Sequence, residues 1–159
     1  MSALEVEVGS SRVARVEGGG ELGVTQPVLY TAFGKRQDIV DAVALCGFAA
    51  LTAALDAGDP AAAYLDFAHA HPATYEAMFL MPTGLPFATA DVPAPMRLAF
   101  TALGRTLGTA DDVRTEIAWG LLHGVASLDH AGRLSAGARE RRLAELERLL
   151  DVLAAGAST

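Results

Sequence analysis

The sequence predicts an all-α fold, and three observations lead to this class. Apolar residues make up 52% of the chain but aromatic residues only 6%, and the apolar content is mostly Ala, Leu and Val. Alanine and leucine favour helices. No stretch alternates apolar and polar residues with the period of two expected of a half-buried strand. Several segments instead repeat apolar residues every three or four positions, as amphipathic helices do.

Length, charge and cysteine content limit the classes of function. The 159 residues leave room for a small head on a larger helical body. A formal net charge of −7 argues against a general nucleic-acid binder, which usually carries a basic face. The single cysteine, Cys46, excludes an intrachain disulfide, which fits a reducing cytoplasm.

Nothing in the sequence predicts export or membrane insertion. The N-terminus lacks the basic region and apolar stretch of a signal peptide. The longest nearly apolar run, between Asp41 and Asp56, is too short to span a bilayer. We therefore predict a cytoplasmic protein without a membrane partner.

The N-terminal 23 residues show no regular pattern. Three consecutive glycines, Gly18–Gly20, oppose a helix by roughly 1 kcal/mol per residue relative to alanine. We expect this segment to be loose, or ordered only by packing against another element. A turn and a short helix begin near Glu21, where Thr25 is a suitable N-cap, Pro27 falls in the first helical turn and Gly34 ends the helix.

Five further helices are predicted after this short one. Asp59 and Pro60 are suited to the N-cap and the first position of the second of them, and Pro72 interrupts that helix with a jog. Four prolines make residues 82–95 a loop. The predicted helices cover residues 35–56, 61–81, 95–107, 111–131 and 138–155.

The last two predicted helices carry more apolar surface than one core needs. Adjacent helices of this kind can pair with their own copies in a four-helix interface, so we predict a homodimer. The alternative is that they close the core of a monomer. In the first helix the two apolar faces are formed by Val113, Ile117, Leu121, Val125 and Leu128, and by Trp119, Leu122 and Ala126; in the second helix the stripe is Leu143, Leu146, Leu150 and Leu153.

Two segments resemble the TetR family of transcriptional regulators. Leu22–Gly34 is similar to the second half of that family's helix-turn-helix: a Gly-Val-Thr turn, then a recognition helix with Leu, Tyr and Phe at the family's spacing. Ile117–Leu128 is similar to the Trp/His-Gly signature of one C-terminal ligand-binding subtype. The resemblance implies an incomplete helix-turn-helix DNA-binding head at residues 1–45 and a ligand-binding and dimerisation domain at residues 46–159.

The head departs from the family pattern. Roughly thirty residues of the expected helices are missing, judged from typical domain sizes. Residues 11–16 keep a trace of the second helix, which residues 17–21 interrupt, although a recognition helix depends on the helix that crosses the backbone beside it. Residues 1–45 contain four basic and six acidic residues, so the head is net acidic. Loss of DNA binding is therefore an alternative.

The resemblance also implies which residues would contact DNA. Gln26 could hydrogen-bond a base edge and Thr25 a phosphate. Tyr30 could contact DNA or serve as a packing residue. The predicted DNA-contacting residues are Thr25, Gln26, Pro27, Tyr30, Lys35 and Arg36, the last two through phosphate.

Large and soft apolar residues with a few polar tips predict a pocket for a small, largely apolar effector. Trp119 and His123 are one turn apart and so share a helix face. The alternative is that most of these residues are ordinary core. The candidate ligand-binding residues are Phe67, His71, Tyr75, Met78, Phe79, Trp119 and His123.

No motif predicts a metal site or catalysis. His69 and His71 are two residues apart and would point to different sides of a helix, unlike a chelating i, i+4 pair. Nucleophile elbows and phosphate-binding loops are missing, so neither an enzyme nor a cofactor is predicted. The predicted function is a ligand-responsive, DNA-binding transcriptional repressor of the TetR type. The alternative is a dimeric small-molecule-binding or interaction protein that has lost DNA binding.

Overall fold

The computed structural model describes residues 4–5, 15–16, 36–87 and 89–155. Six α-helices occupy most of these residues, which confirms the predicted all-α class. A short 3₁₀ turn at Ala136–Ala138 precedes the last helix. In chain order the helices are α1 (Arg36–Ala57), α2 (Pro60–Ala70), α3 (Pro72–Phe79), α4 (Ala94–Thr106), α5 (Asp112–His130) and α6 (Arg139–Ala155).

Two strands of two residues each lie near the N-terminus. Strand β1 (Leu4–Glu5) pairs antiparallel with β2 (Arg15–Val16), with Leu4 opposite Val16. The trace of a helix predicted over residues 11–16 is therefore wrong for the two residues of β2. The predicted recognition helix lies outside the described residues.

Aspartate side chains cap the N-terminal ends of two helices, and the sequence predicted the first of these caps. The Asp59 Oδ1 atom accepts the backbone N–H of Ala61 at 2.9 Å, at the start of α2. Asp111 does the same for Val113 at 3.0 Å, at the start of α5. Each carboxylate satisfies an N–H group that has no partner within the helix. After α5, Gly132 adopts φ +64°, a left-handed conformation that stops a helix and favours glycine.

The single helix predicted over residues 61–81 is two helices. Pro72 is the first residue of α3, and His71 before it has a non-helical conformation, with φ −127° and ψ 58°. Proline disfavours a helical conformation in the preceding residue, so α2 ends at Ala70. The expected jog is thus a complete break.

The described helices contribute to two compact units. Besides the two short strands, the first unit contains the described residues 36–48, 71–87 and 89–93. The second unit contains residues 49–70 and 94–155, so α1 contributes to both. In the first unit Val40, Val43 and Ala77 form a buried apolar cluster. The second unit buries Tyr64 and Leu122 almost completely. The boundary predicted at residue 45 stays a prediction.

Helix α1 is longer than the apolar run seen in the sequence. An 18-residue window of this helix has a mean hydropathy of 1.8, so by length and composition alone the helix could cross a membrane. Core helices of soluble proteins pass the same test. α1 has a buried stripe that includes Val40, Ala44, Leu51 and Leu55, which is how a core helix packs.

Candidate functional site

Trp119 on α5 stands at the centre of an aromatic cluster in the second unit. Its Nε1–H donates a hydrogen bond to the hydroxyl oxygen of Tyr64 on α2 at 3.1 Å. Its ring meets Phe100 of α4 edge-on, with the ring centroids 6.3 Å apart. Tyr64 is only 1% exposed, whereas Trp119 is half-buried. The hydrogen bond satisfies a polar indole group among apolar neighbours and orients the ring.

His123 and Ser127 continue the same side of α5 at successive one-turn intervals. The Ser127 Oγ and His123 Nε2 atoms are 3.3 Å apart, within hydrogen-bond distance. Burial lowers the pKa of His123 below its ordinary value of 6.5, because desolvation disfavours the charged imidazolium. At neutral pH the ring is therefore uncharged and has one donor and one acceptor nitrogen. The row Trp119–His123–Ser127 combines an aromatic face with uncharged polar groups.

A second aromatic cluster lies in the first unit. Tyr75 and Phe79 are one turn apart on α3, with their ring centroids 4.8 Å apart. Phe48 of α1 meets Phe79 edge-on at 5.3 Å and Phe87 at 6.3 Å. Edge-on aromatic pairs add to the stability that burial alone provides. We call these four residues the α1–α3 aromatic cluster.

The structure assigns the seven candidate ligand residues to separate units. Tyr75 and Phe79 are in ring contact, and Trp119 and His123 lie one turn apart as predicted. Residues in the second unit are Phe67, Trp119 and His123; those in the first are His71, Tyr75, Met78 and Phe79. The sequence analysis missed several of their contacts, namely Phe48, Tyr64, Phe87, Phe100 and Ser127.

One member of the predicted DNA-contacting set is described. Arg36 is the first residue of α1, and its side chain is exposed. An exposed guanidinium at this position could contact phosphate. The other five lie outside the described residues; they are Thr25, Gln26, Pro27, Tyr30 and Lys35.

Helices α5 and α6 expose a row of large apolar side chains. On α5 the spacing of Val113, Ile117 and Leu128 places them on one side of the helix, opposite the buried Leu122. Gly120 and Gly124 lie between them, where an added Cβ atom would have no neighbour within 4 Å among the described residues. Together with Leu149 and Val152 of α6, these residues form what we call the apolar face.

Two arginines hold α5 and α6 together as a helical hairpin. Near the start of α5, Arg114 donates from Nη1 to the backbone oxygen of Leu153 near the end of α6, at 2.7 Å. Near the start of α6, Arg142 forms an ion pair with Asp129 near the end of α5, at 3.7 Å. The pairing of opposite ends shows that the helices are antiparallel. The first contact also satisfies a carbonyl oxygen in the last turn of α6.

A comparison with known families matches most of the helical part of the chain. The family model of tetracyclin repressor-like C-terminal domains matches residues 59–153, from the N-cap of α2 to the last turn of α6. Because the match covers more than half of the 159 residues, the chain belongs to the TetR family, as the sequence resemblance predicted. Domains of this family are regulatory rather than catalytic. No curated protein and no solved structure matches the chain.

Proposed function

We propose that the protein is a TetR-type transcriptional repressor whose body binds a small, largely apolar and uncharged effector. The main support is the row Trp119–His123–Ser127, because it offers aromatic surface and uncharged hydrogen-bonding groups on one side of α5. A ligand with a charged group would lose hydration here without gaining an opposite charge from this row. An apolar ligand with one hydroxyl, carbonyl or amide group fits the row best.

Each unit contains part of the ligand-contact set predicted from the sequence, and we propose the contacts of each unit separately. Trp119 would supply a ring face, and His123 a hydrogen bond. Phe67 is the third proposed contact of the second unit. Those of the first unit are His71, Tyr75, Met78 and Phe79.

Ligand binding can be tested with a pair of related probes. N-phenyl-1-naphthylamine is uncharged, and 1-anilinonaphthalene-8-sulfonate adds a sulfonate to the same ring system. Trp119 is the only tryptophan, so energy transfer from it to the probe detects binding to the protein, and the variants below locate the site. We expect the uncharged probe to bind the more tightly. Equal affinity for both would contradict an uncharged effector, and failure of both to bind would contradict the site.

A pair of variants separates this row from the rest of the surface. His123→Phe replaces the hydrogen-bonding ring with a larger apolar one, and we expect it to weaken binding of N-phenyl-1-naphthylamine. Leu98→Ala, which removes an exposed side chain on α4, is the control and should leave the affinity unchanged. Equal affinities for both variants would show that the probe binds elsewhere.

The second part of the proposal is a homodimer formed through the apolar face of α5 and α6. Large apolar side chains that remain exposed on two adjacent helices are typical of an interface. A helical glycine costs about 1 kcal/mol relative to alanine, and within the described part of the chain Gly120 and Gly124 contact nothing that requires their small size. Close approach of a partner helix would explain both residues. A two-fold axis would then bring the same face of each copy together.

DNA binding is the third part of the proposal. Two recognition segments in a dimer would contact major-groove half-sites about 34–36 Å apart. The effector would favour dimers with a different spacing and so release the DNA. The test is a band shift with DNA flanking the protein's own gene, over a range of salt concentrations, because phosphate contacts weaken as salt rises. A folded dimer that gives no shift at low salt would refute this part.

A dimeric small-molecule-binding protein without DNA binding is the second candidate. Two observations favour it: the head is net acidic, and Arg15–Val16 pairs as a strand where the family pattern has a supporting helix. The same band shift separates the candidates, provided that dimerisation and probe binding are measured on the same sample. Probe binding without a DNA shift would support this second function.

A further inference from the structure

Residues 82–87, which we call the strap, are tied to the first turns of α1 by hydrogen bonds. The Asp41 Oδ1 atom accepts from the Thr83 hydroxyl at 2.8 Å and from the Gly84 N–H at 3.2 Å. Gln37, one turn earlier, donates from Nε2 to the same Asp41 oxygen at 3.0 Å and to the Pro82 carbonyl oxygen at 2.7 Å. One carboxylate oxygen thus collects three hydrogen bonds at this end of the strap.

The strap is shaped to fit Asp41. A Cβ atom added at Gly84 would lie 3.0 Å from Asp41 Oδ2, a tight contact that would require a shift of a few tenths of an ångström. The Thr83 hydroxyl oxygen also accepts the Leu85 N–H at 3.1 Å, which closes a local turn. The lack of a side chain at Gly84 and the local turn at Thr83 are both compatible with the close approach of the strap to Asp41.

The other end of the strap joins the α1–α3 aromatic cluster. Phe87 meets Phe48 at 6.3 Å, and Phe48 meets Phe79, which in turn contacts Tyr75. Phe48 lies about two turns beyond Asp41 on α1. The strap therefore connects two points of α1, one polar and one aromatic.

We propose that the strap is a conformational relay between the α1–α3 aromatic cluster and the start of α1. A shift of the aromatic rings moves Phe87, and the strap passes this movement to Asp41 and Gln37, which act as positioning residues. Its polar end is partly exposed, so water can replace the hydrogen bonds when the strap is displaced. Such a contact can open and close without unfolding the helix.

The regulatory meaning of the relay rests on the proposed function. Tyr75 and Phe79 are proposed ligand contacts, and the predicted phosphate contacts Lys35 and Arg36 lie directly before Gln37 in the chain. A ligand that reorganised the rings would then alter the start of the helix that follows the recognition segment. The coupling itself can be measured without ligand or DNA.

Hydrogen exchange at the Gly84 amide in the full chain tests the relay. Phe87→Ala removes the aromatic anchor, and we expect it to speed exchange of the Gly84 amide by at least about tenfold, because that amide is protected by Asp41. The matched control is Leu80→Ala, which truncates an exposed apolar residue at a similar distance on the other side of Gly84. If Phe87→Ala changes the exchange no more than Leu80→Ala does, the relay is refuted. Phe87→Leu replaces Phe87→Ala if the latter does not fold.

A second pair of variants tests the polar end. Thr83→Val removes the hydroxyl that bonds to Asp41, and we expect faster exchange of the Gly84 and Leu85 amides; Thr89→Val is the matched control in the same loop. Finally, N-phenyl-1-naphthylamine is added to the wild-type protein. Failure of the probe to bind would refute the proposed ligand site alone. If Phe79→Leu weakens probe binding, so that the probe contacts the α1–α3 aromatic cluster, and yet the probe leaves Gly84 exchange unchanged, the relay's regulatory role is refuted.

Discussion

Truncation of Ile117 is a direct test of the proposed dimer. Ile117 is 49% exposed and lies in the middle of the apolar face, between Val113 and Gly120. In a two-fold dimer the side chain would be buried twice, once from each copy. Ile117→Ala should therefore weaken association without disturbing the core of either copy.

The expected magnitude follows from the exposed area. Complete burial of an isoleucine side chain contributes about 1.5–3 kcal/mol. About half of Ile117 remains to be buried, so the dimer would gain about 1 kcal/mol from each copy and about 2 kcal/mol in total. Because a factor of ten in affinity corresponds to about 1.4 kcal/mol, Ile117→Ala should raise the dimer dissociation constant about 30-fold.

Sedimentation velocity over a range of concentrations measures this constant. Leu98→Ala is the matched control, since Leu98 is 55% exposed but lies on α4, outside the apolar face. It should associate as the wild type does, and circular dichroism should show both variants to be folded. A monomeric wild type, or equal weakening by the two variants, would show that α5 and α6 do not form the interface.

Three further predictions concern the interior of the two units. Tyr64→Phe removes the hydroxyl oxygen that accepts the Trp119 N–H, so unfolding experiments should show a loss of about 1 kcal/mol and the tryptophan emission should change; an unchanged emission would contradict this. Gly47→Ala places a Cβ atom 2.5 Å from Met78 Sδ, and overpacking should lower the free energy of unfolding by about 1–3 kcal/mol despite alanine's better helix propensity; a stabilised variant would contradict the close crossing of α1 and α3. Because burial lowers the pKa of His123 below 6.5, protonation opposes folding, and Tm should fall as pH drops below about 6.5 through the lowered pKa. His123→Gln should flatten that part of the curve, and an identical pH dependence in both proteins would contradict it.

The sequence allowed the start of α2 to be predicted because capping is a local interaction. Asp59 and Asp111 each bond to backbone groups two residues away, and Gly132 stops α5 through its own conformation. These signals can be recognised without knowing the tertiary fold. The division at Pro72 was predicted only as a jog, because a proline at that position can either kink a helix or begin a new one.

The contacts around the candidate site could not be predicted in the same way. Tyr64 and Trp119 are 55 residues apart in the chain, and Asp41 and Thr83 are 42 apart. Each contact depends on how two helices or a helix and a loop are placed in space, which the period of the apolar pattern does not specify. Tyr64 was a recognisable candidate, since it is a large residue with a polar tip in the alanine-rich helix α2.

The resemblance to a family contributed more to the functional assignment than the pattern of apolar and polar residues did. The TetR assignment is confirmed over residues 59–153, which include the signature around Trp119 and His123. The DNA-contacting residues stay a prediction, and so do the dimer and the effector. Local patterns predicted the helices, while the function depended on a motif match that physical reasoning from composition alone did not supply.

The two ties between α5 and α6 restrict how the protein could transmit a signal. Sliding one helix past the other by a turn would separate Arg114 from Leu153 and Arg142 from Asp129 at the same time. The hairpin should therefore tilt or rotate as a single rigid body. A rotation of the hairpin that starts beside Trp119 would then displace each end of α5 in proportion to its distance from the axis of rotation.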